Sequence, residues 1–220
     1  MSSAAIFDLN GTLVDDMATH GVLWREVARK YGRDIPASMF IRDWAGQKFD
    51  EVMRHITERE LDPEELRSVL AEREARYRAV FPEQVREVVG CSVFLAELRA
   101  ARVPTAVATS APIEPRTFAM RALGIDSAFD AVVGAESVTR GKPFPDIFLA
   151  AADALGVAPE SCIVFEDAAG GIAAAHAAGM RAVGIATVLT PDELLAAGAT
   201  WAATDYLHLP TDLRGILGLR

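Results

Sequence analysis

Short apolar runs rich in Val, Ile and Ala recur along the chain, each followed by a loop and then a helical pattern. They span Ala4 to Leu9, Thr105 to Ala108, Ala131 to Gly134, Cys162 to Phe165, Arg181 to Ile185 and Trp201 to Ala203. Runs that are apolar on both faces and alternate with helices predict parallel strands buried between two helix layers. Three of the helices have clear ends. Ser92 to Ala101 opens on a serine cap, Ile147 to Leu155 stops before Gly156, and Gly170 to Ala178 stops before Gly179.

One stretch breaks this rhythm. From about Asp15 to Val89 the pattern is helical, with no strand signal. Leu66, Leu70, Arg73, Tyr77 and Phe81 keep three- and four-residue spacing, and Glu72–Arg76 and Glu74–Arg78 stand at i, i+4. A first strand, a long helical stretch, then the remaining strands is an insertion pattern. The spacing predicts one α/β core from residues 1–14 and 89–220, with residues 15–88 as a helical insert. An insert placed directly after the first strand sits over the carboxyl ends of the strands, where open α/β sheets bind ligands.

Composition narrows the function. The chain has 220 residues, and 22 Lys and Arg against 31 Asp and Glu leave a formal charge of −9. Such an acidic surface repels nucleic acid and anionic lipid, so neither is expected as a partner. An anionic substrate must then be drawn in by a local metal or a few local cations. Cys91 and Cys162 are too few for a disulfide framework and read as buried thiols in a reducing compartment. The opening MSSAAIFDL has neither a basic segment nor a long apolar one, and no run approaches a membrane span. A cytoplasmic location is the expectation.

Four segments carry candidate chemistry, all at predicted strand ends or in adjoining loops. Phe7-Asp8-Leu9-Asn10-Gly11-Thr12-Leu13 places an aspartate where the first strand meets a Gly-Thr turn. That carboxylate can act as nucleophile or metal ligand, or simply cap a turn. Thr109 and Ser110 end the second strand in hydroxyls able to donate to a phosphate, or to shape a turn. Lys142 lies between Gly141 and Pro143, and Glu166-Asp167 close a further strand in two carboxylates ahead of Ala168-Ala169-Gly170-Gly171. Separately these read as a surface lysine and a solvated acidic pair. One shared pocket accounts for all four together.

In that order the segments resemble the haloacid dehalogenase superfamily, in its phosphatase and phosphomutase branch, over nearly the whole chain. The nearest likeness is to β-phosphoglucomutase-like enzymes, carried by residues 141–157 and 165–180. The resemblance implies a Rossmann-like parallel sheet core with an inserted all-helical cap domain. It implies an aspartyl phosphate on Asp8, a phosphoryl oxygen held by Thr109, and charge neutralised by Lys142. It implies Mg²⁺ on Asp8, Asp167 and the backbone carbonyl of Asn10, with Glu166 supporting it, in keeping with hard oxygen ligands. His20, which with Trp24 enters the insert on one helix face, and Gly46, Lys48 and Ser110 are its candidate substrate contacts; a structural role is the alternative for His20 and a solvated one for Lys48. Trp24 reads as packing.

Two positions depart from the family. Its first motif is Asp-x-Asp, with the second aspartate serving as acid and base; here Asn10 stands in that place and cannot exchange a proton near neutral pH. An engineered substitution, a natural variant with another proton carrier, and deamidation at Asn-Gly are the alternatives. Trp44 to Phe49 resembles the family's specificity loop, but Phe49 stands where the mutases carry an arginine for the distal phosphate. These features point to a Mg²⁺-dependent phosphatase of a small phosphorylated metabolite, a sugar phosphate in particular. A phosphomutase, a 2-haloacid dehalogenase and a non-catalytic sugar-phosphate binder are the competing readings. A monomer or weak homodimer is expected.

Overall fold

The computed structural model describes residues 3–219, apart from the side chain of residue 84. The strands are β1 (Ala4–Phe7), β2 (Val14–Asp15), β3 (Arg86–Glu87), β4 (Thr105–Ala108), β5 (Ala131–Val133), β6 (Cys162–Glu166), β7 (Arg181–Ile185) and β8 (Trp201–Ala203). The helices are α1 (Met17–Lys30), α2 (Ala37–Arg42), α3 (Phe49–Thr57), α4 (Pro63–Gln84) and α5 (Cys91–Ala100). They continue with α6 (Ile113–Ala122), α7 (Asp146–Leu155), α8 (Ala169–Ala177), α9 (Pro191–Ala196) and α10 (Thr211–Ile216). All six predicted strands form, within a residue or two of their expected ends.

Six strands make one parallel sheet in the order β5-β4-β1-β6-β7-β8. Alternate side chains feed two cores. Phe7, Val107, Ile163 and Phe165 meet Phe94 and Leu98 of α5 and Leu213 of α10 on one face. Ile6, Ala106 and Val164 meet Phe148 of α7 and Ile172 of α8 on the other. The Ala-rich composition of α8 lets it lie close to the sheet. Residue 7 pairs with both Val107 and Phe165, which levels the carboxyl ends of β1, β4 and β6. Because β1 continues to β4 on one side and borders β6 on the other, the sheet has its switch point there.

Residues 15–88 contribute no strand to this sheet. Helices α1 to α4 lie there, with a separate apolar cluster of Val27, Phe40, Val52, Met53 and Ile56. The one departure from an all-helical insert is β3, which pairs antiparallel with β2 where the chain leaves and rejoins the core. At two residues each, these strands are too short to give a hydrophobic-period signal. α4 is stopped at its start by Asp62, whose side chain accepts from the N–H groups of Glu64 and Glu65, ahead of Pro63.

Local expectations fail in two places. Ser92 does not cap α5: the helix begins at Cys91 with Gly90 as its cap, φ +81°, and the Ser92 hydroxyl turns to Glu87. A Cβ at Gly90 would come within 2.8 Å of Leu207, so close packing takes precedence over the serine cap. The i, i+4 pairs on α4 are also replaced. Glu72 pairs with Lys30, Arg76 reaches Glu26 at 3.4 Å, and Glu74 takes Arg73 at 2.9 Å. α1 lies alongside and offers Lys30 and Glu26 as nearer partners, while Glu74 pairs within α4. Cys91 and Cys162 are buried free thiols, as expected. Among the described residues no helix is long and apolar enough to cross a membrane.

Phe7 is fully buried, stacked on Phe165 at 4.6 Å and edge-on to Phe94 at 6.3 Å. Phe7→Ala is expected to cost about 3–5 kcal/mol by urea denaturation. A loss below about 1 kcal/mol would contradict the central place of this cluster.

Candidate active site

Asp8 is the first residue beyond β1, and its backbone N–H donates to the Phe165 carbonyl at 3.0 Å. Thr109 follows β4 in the same way and donates to Val133 at 3.0 Å. Glu166 ends β6 and Asp167 follows it. Lys142 reaches the same point from the loop between β5 and α7. Its ammonium lies 2.6 Å from Asp8 Oδ1 and 2.6 Å from Glu166 Oε1. All four charged groups are buried. The sheet edge therefore holds three carboxylates, from Asp8, Glu166 and Asp167, with ligand atoms within 4.8 Å of one another, against one ammonium.

This arrangement has unequal members. Glu166 has both oxygens engaged, one by Lys142 and one by the Ala168 N–H at 2.8 Å. Asp167 accepts from the Thr12 hydroxyl at 3.3 Å through Oδ1, while its buried Oδ2 has no partner. An orphaned buried carboxylate oxygen beside two more carboxylates is a donor set that fits a hard divalent cation. Two glycines make the crowding possible. A Cβ on Gly11, where φ is +79°, would lie 2.1 Å from Asp167 Oδ2, and one on Gly171 would lie 1.9 Å from the Glu166 carboxyl.

Burial is the main influence on these groups. It pushes Asp8 up to about 7, against the pull of the Lys142 charge, and Glu166 adds to the rise. Asp167 is held well above the usual carboxylate range by burial and by Glu166 and Asp8. Burial works against the Lys142 charge, yet Asp8 and Glu166 more than offset it and hold the ammonium above the ordinary lysine range.

Asn10 faces away from this cluster. Its amide nitrogen donates to Asp16 Oδ2 at 2.7 Å. The same oxygen accepts from Tyr77 at 2.5 Å and from His20 Nε2 at 3.0 Å. Arg73 can only donate, and it meets His20 Nδ1 at 2.6 Å, which places the ring proton on Nε2. The 3.0 Å approach of Asn10 to His20 Nε2 is then two donors converging on one carboxylate. His20 is thus tied into a buried polar cluster and also lines the cleft.

A cleft of about 120 Å³ opens above the strand ends, lined by Asp8, Asn10, His20, Gly46, Thr109, Ser110 and Asp167 among others. Two candidate substrate contacts are occupied by the protein itself. Lys48 Nζ donates to the carbonyls of Val138 at 2.7 Å and Thr139 at 3.2 Å, and the Ser110 hydroxyl donates to the Gly46 carbonyl at 2.6 Å. These three bonds fasten residues 46–48 to the loops after β4 and β5. Trp24 packs on Phe40 and Phe49, as expected, and also forms part of the cleft wall. Sequence reasoning missed Asp16, Arg73, Glu74 and Arg116. The available signal was their charge at positions otherwise facing the core: Arg73 stands on the apolar face of α4 beside Tyr77.

A buried lysine-bridged carboxylate cluster at the switch point of a parallel sheet is equipped to hold a divalent cation and an anionic substrate together. The haloacid dehalogenase-like hydrolase family matches residues 5–185, and the chain belongs to that family. It is 36% identical over 182 residues to a fructose-1-phosphate phosphatase of Escherichia coli (strain K12), covering 82% of this chain and 94% of that protein. It is 32% identical over 193 residues to a β-phosphoglucomutase of Bacillus subtilis (strain 168), covering 83% and 82% respectively. The crystal structure of a β-phosphoglucomutase from Clostridium difficile superposes with a TM-score of 0.86 at 26% identity, over 99% of this chain and 98% of that one.

Because Asp8 and Asp167 hold protons more tightly folded than unfolded, the metal-free protein binds extra protons above the ordinary value of 3.8, up to about 7 in the case of Asp8. Stability contributed by these groups therefore falls as pH rises through that interval. In chelator-treated protein the melting temperature of Asp167→Asn is expected to fall less steeply than that of the parent across it. Mg²⁺ is expected to raise the parent's melting temperature and leave the variant's unchanged. Parallel pH profiles and equal Mg²⁺ responses would contradict the cluster's electrostatics.

Proposed function

We propose that the protein is a Mg²⁺-dependent phosphatase of a small phosphorylated metabolite, a sugar phosphate, acting through an aspartyl phosphate on Asp8. Residues 1–14 and 89–220 form the catalytic body, and residues 15–88 form a cap over the strand ends. The observation that carries this reading is the Lys142 ammonium shared by Asp8 and Glu166, with Asp167 Oδ2 unpartnered beside them. Relatives named as phosphatases of phosphorylated carbohydrates support it.

Phosphoryl transfer needs positioning and charge neutralisation more than covalent chemistry from the protein. Asp8 presents Oδ2 to phosphorus while Lys142 holds Oδ1, so the attacking oxygen is aimed. Thr109 directs its hydroxyl to a phosphoryl oxygen, its own Oγ1 steadied by accepting from the Ala111 N–H at 3.1 Å. Mg²⁺ held by Asp8, Asp167 and the Asn10 backbone carbonyl would neutralise phosphoryl charge. Glu166, whose oxygens are both engaged, stands behind and fixes Lys142. A 2-haloacid dehalogenase has no use for this acidic cluster, and the phosphomutase reading lacks a free cation at residues 48 and 49.

Asn10 shapes the rate. Its amide donates to Asp16 and carries no proton to the leaving oxygen or from the attacking water. Esters with good leaving groups phosphorylate Asp8 without that help, while breakdown of the aspartyl phosphate lacks its base. Slow turnover is the consequence.

Phosphate release from a panel of phosphate esters tests this reading. Release is expected with Mg²⁺, and its loss with a chelator and in Asp8→Ala. Asn10→Asp is expected to raise turnover by roughly 10²–10⁴, the usual worth of a positioned acid–base group. It also sets a carboxylate against Asp16 Oδ2, where the amide had donated. Adding Asp16→Asn restores a donor to that contact, and the double variant is expected to be at least as fast as Asn10→Asp. A change below about tenfold in both variants means that another group moves the proton.

A further inference from the structure

The turn after Asp8 has to be stiffened from outside itself. Gly11 sits at its centre with φ +79°, and no larger residue fits, because a Cβ there would lie 2.1 Å from Asp167 Oδ2. A glycine also gives the backbone the least intrinsic restraint of any residue. Its neighbour Asn10 offers the backbone carbonyl proposed above for Mg²⁺. A ligand beside a glycine keeps its direction only where the peptides on either side are tied down.

Both peptides are tied. On the Asn10 side, the Gly11 N–H donates to the Val14 carbonyl at 2.7 Å. That peptide is trans, which sets its N–H and C=O in opposite directions, so the bond also aims the Asn10 carbonyl away from Val14. On the Thr12 side, the Gly11 carbonyl accepts from Thr187 Oγ1 at 2.7 Å. The Thr12 N–H, across that peptide, makes only a 3.3 Å contact with the Leu9 carbonyl. Thr187 is therefore the firmer hold. The Thr12 hydroxyl donates in turn to Asp167 Oδ1 at 3.3 Å, so rotation of the Gly11–Thr12 peptide would disturb a carboxylate as well as a carbonyl.

A hydroxyl can clamp a turn only if its own loop is fixed. Thr187 is half-buried between β7 and α9 and does not line the cleft. The Ala186 N–H donates to the Ala203 carbonyl at 2.9 Å, and the Thr187 N–H to the Ile185 carbonyl at 2.9 Å. At the other end of the loop, Thr190 and Glu193 form a reciprocal capping box on α9. Arg42 of α2 donates to the Val188 carbonyl at 3.5 Å and to Glu193 Oε1. The loop is thus held by β8, by its own helix and by the helical insert.

We infer that Thr187 is a positioning residue for the metal-binding turn. Its hydroxyl locks the Gly11–Thr12 peptide, and through it the Asn10 carbonyl and Asp167, in the arrangement that accepts Mg²⁺. This rests on the Mg²⁺ site of the phosphatase reading and adds to it a residue that touches neither metal nor substrate.

Mg²⁺ titrations of the melting temperature separate this role from a structural one. The chelator-treated protein reports the fold, and the Mg²⁺ concentration needed for a given rise reports the site. Thr187→Val and Thr187→Ala both delete the hydroxyl, and each is expected to need about tenfold more Mg²⁺ than the parent, the usual cost of losing a group that orients a metal ligand. Thr187→Ser keeps the hydroxyl and is expected to stay within about twofold of the parent. A merely structural Thr187 would lower the chelator-treated melting temperature and leave the Mg²⁺ requirement unchanged. A requirement within about twofold of the parent in the Val and Ala variants, or one raised equally in Thr187→Ser, overturns the inference while the Mg²⁺ site stands. A parent protein whose melting temperature does not respond to Mg²⁺ overturns that site and the role of Thr187 with it.

Discussion

The Lys142 ammonium, 2.6 Å from both Asp8 and Glu166, is the contact on which the site depends. Three buried carboxylates at one sheet edge repel one another, and desolvation already disfavours their charges. One ammonium shared between two of them keeps the Asp8 and Glu166 carboxylates ordered. The same lysine leaves the third carboxylate, Asp167, without a compensating charge, a deficit that a divalent cation would meet. Removing Lys142 would leave the whole cluster to protonation or rearrangement, whereas removing Glu166 would loosen only the lysine.

The fold exists in service of that contact. Asp8, Thr109 and Glu166-Asp167 come from three adjacent strands whose registers end level, and Lys142 is delivered by a loop anchored beside β5. The small residues around them have the same purpose. Gly11 and Gly171 let the Asp167 and Glu166 side chains lie where any Cβ would collide. The residue 46–48 segment closes over the cluster through Lys48 and Ser110, and Arg42 adds a bridge to Glu193 on the opposite rim. Lys48 and Ser110, expected as substrate contacts, instead tie the residue 46–48 segment to the loops after β4 and β5.

The main sheet and the catalytic cluster were legible in the sequence for one reason: chemistry sits where apolar strands stop. A buried strand leaves a period-free apolar run, and the next residue is conspicuous when it is Asp, Thr or Glu. Lys142 was legible through its Gly and Pro neighbours and the resemblance to a known order of motifs. The two-residue strands β2 and β3 left no such trace. Asp16, Arg73 and Glu74 were hidden because a helix pattern assigns faces and not partners. Charge on the inner face of α4 reads as an irregularity until α1 places His20 opposite it. Lys48 and Ser110 show the converse: both stand at the cleft, but carbonyl groups across the interface claim their donors.

On the proposed phosphatase reading, Asn10 divides the chemistry into a half that this chain is equipped to perform and a half that it performs slowly. Intact-mass spectrometry after rapid mixing with a reactive acyl phosphate and Mg²⁺ tests that division most directly. The account predicts a phosphoryl adduct that maps to Asp8, persists through many seconds in the parent, and decays faster in Asn10→Asp. An adduct absent from the parent at every mixing time, or one equally short-lived in both proteins, would contradict it.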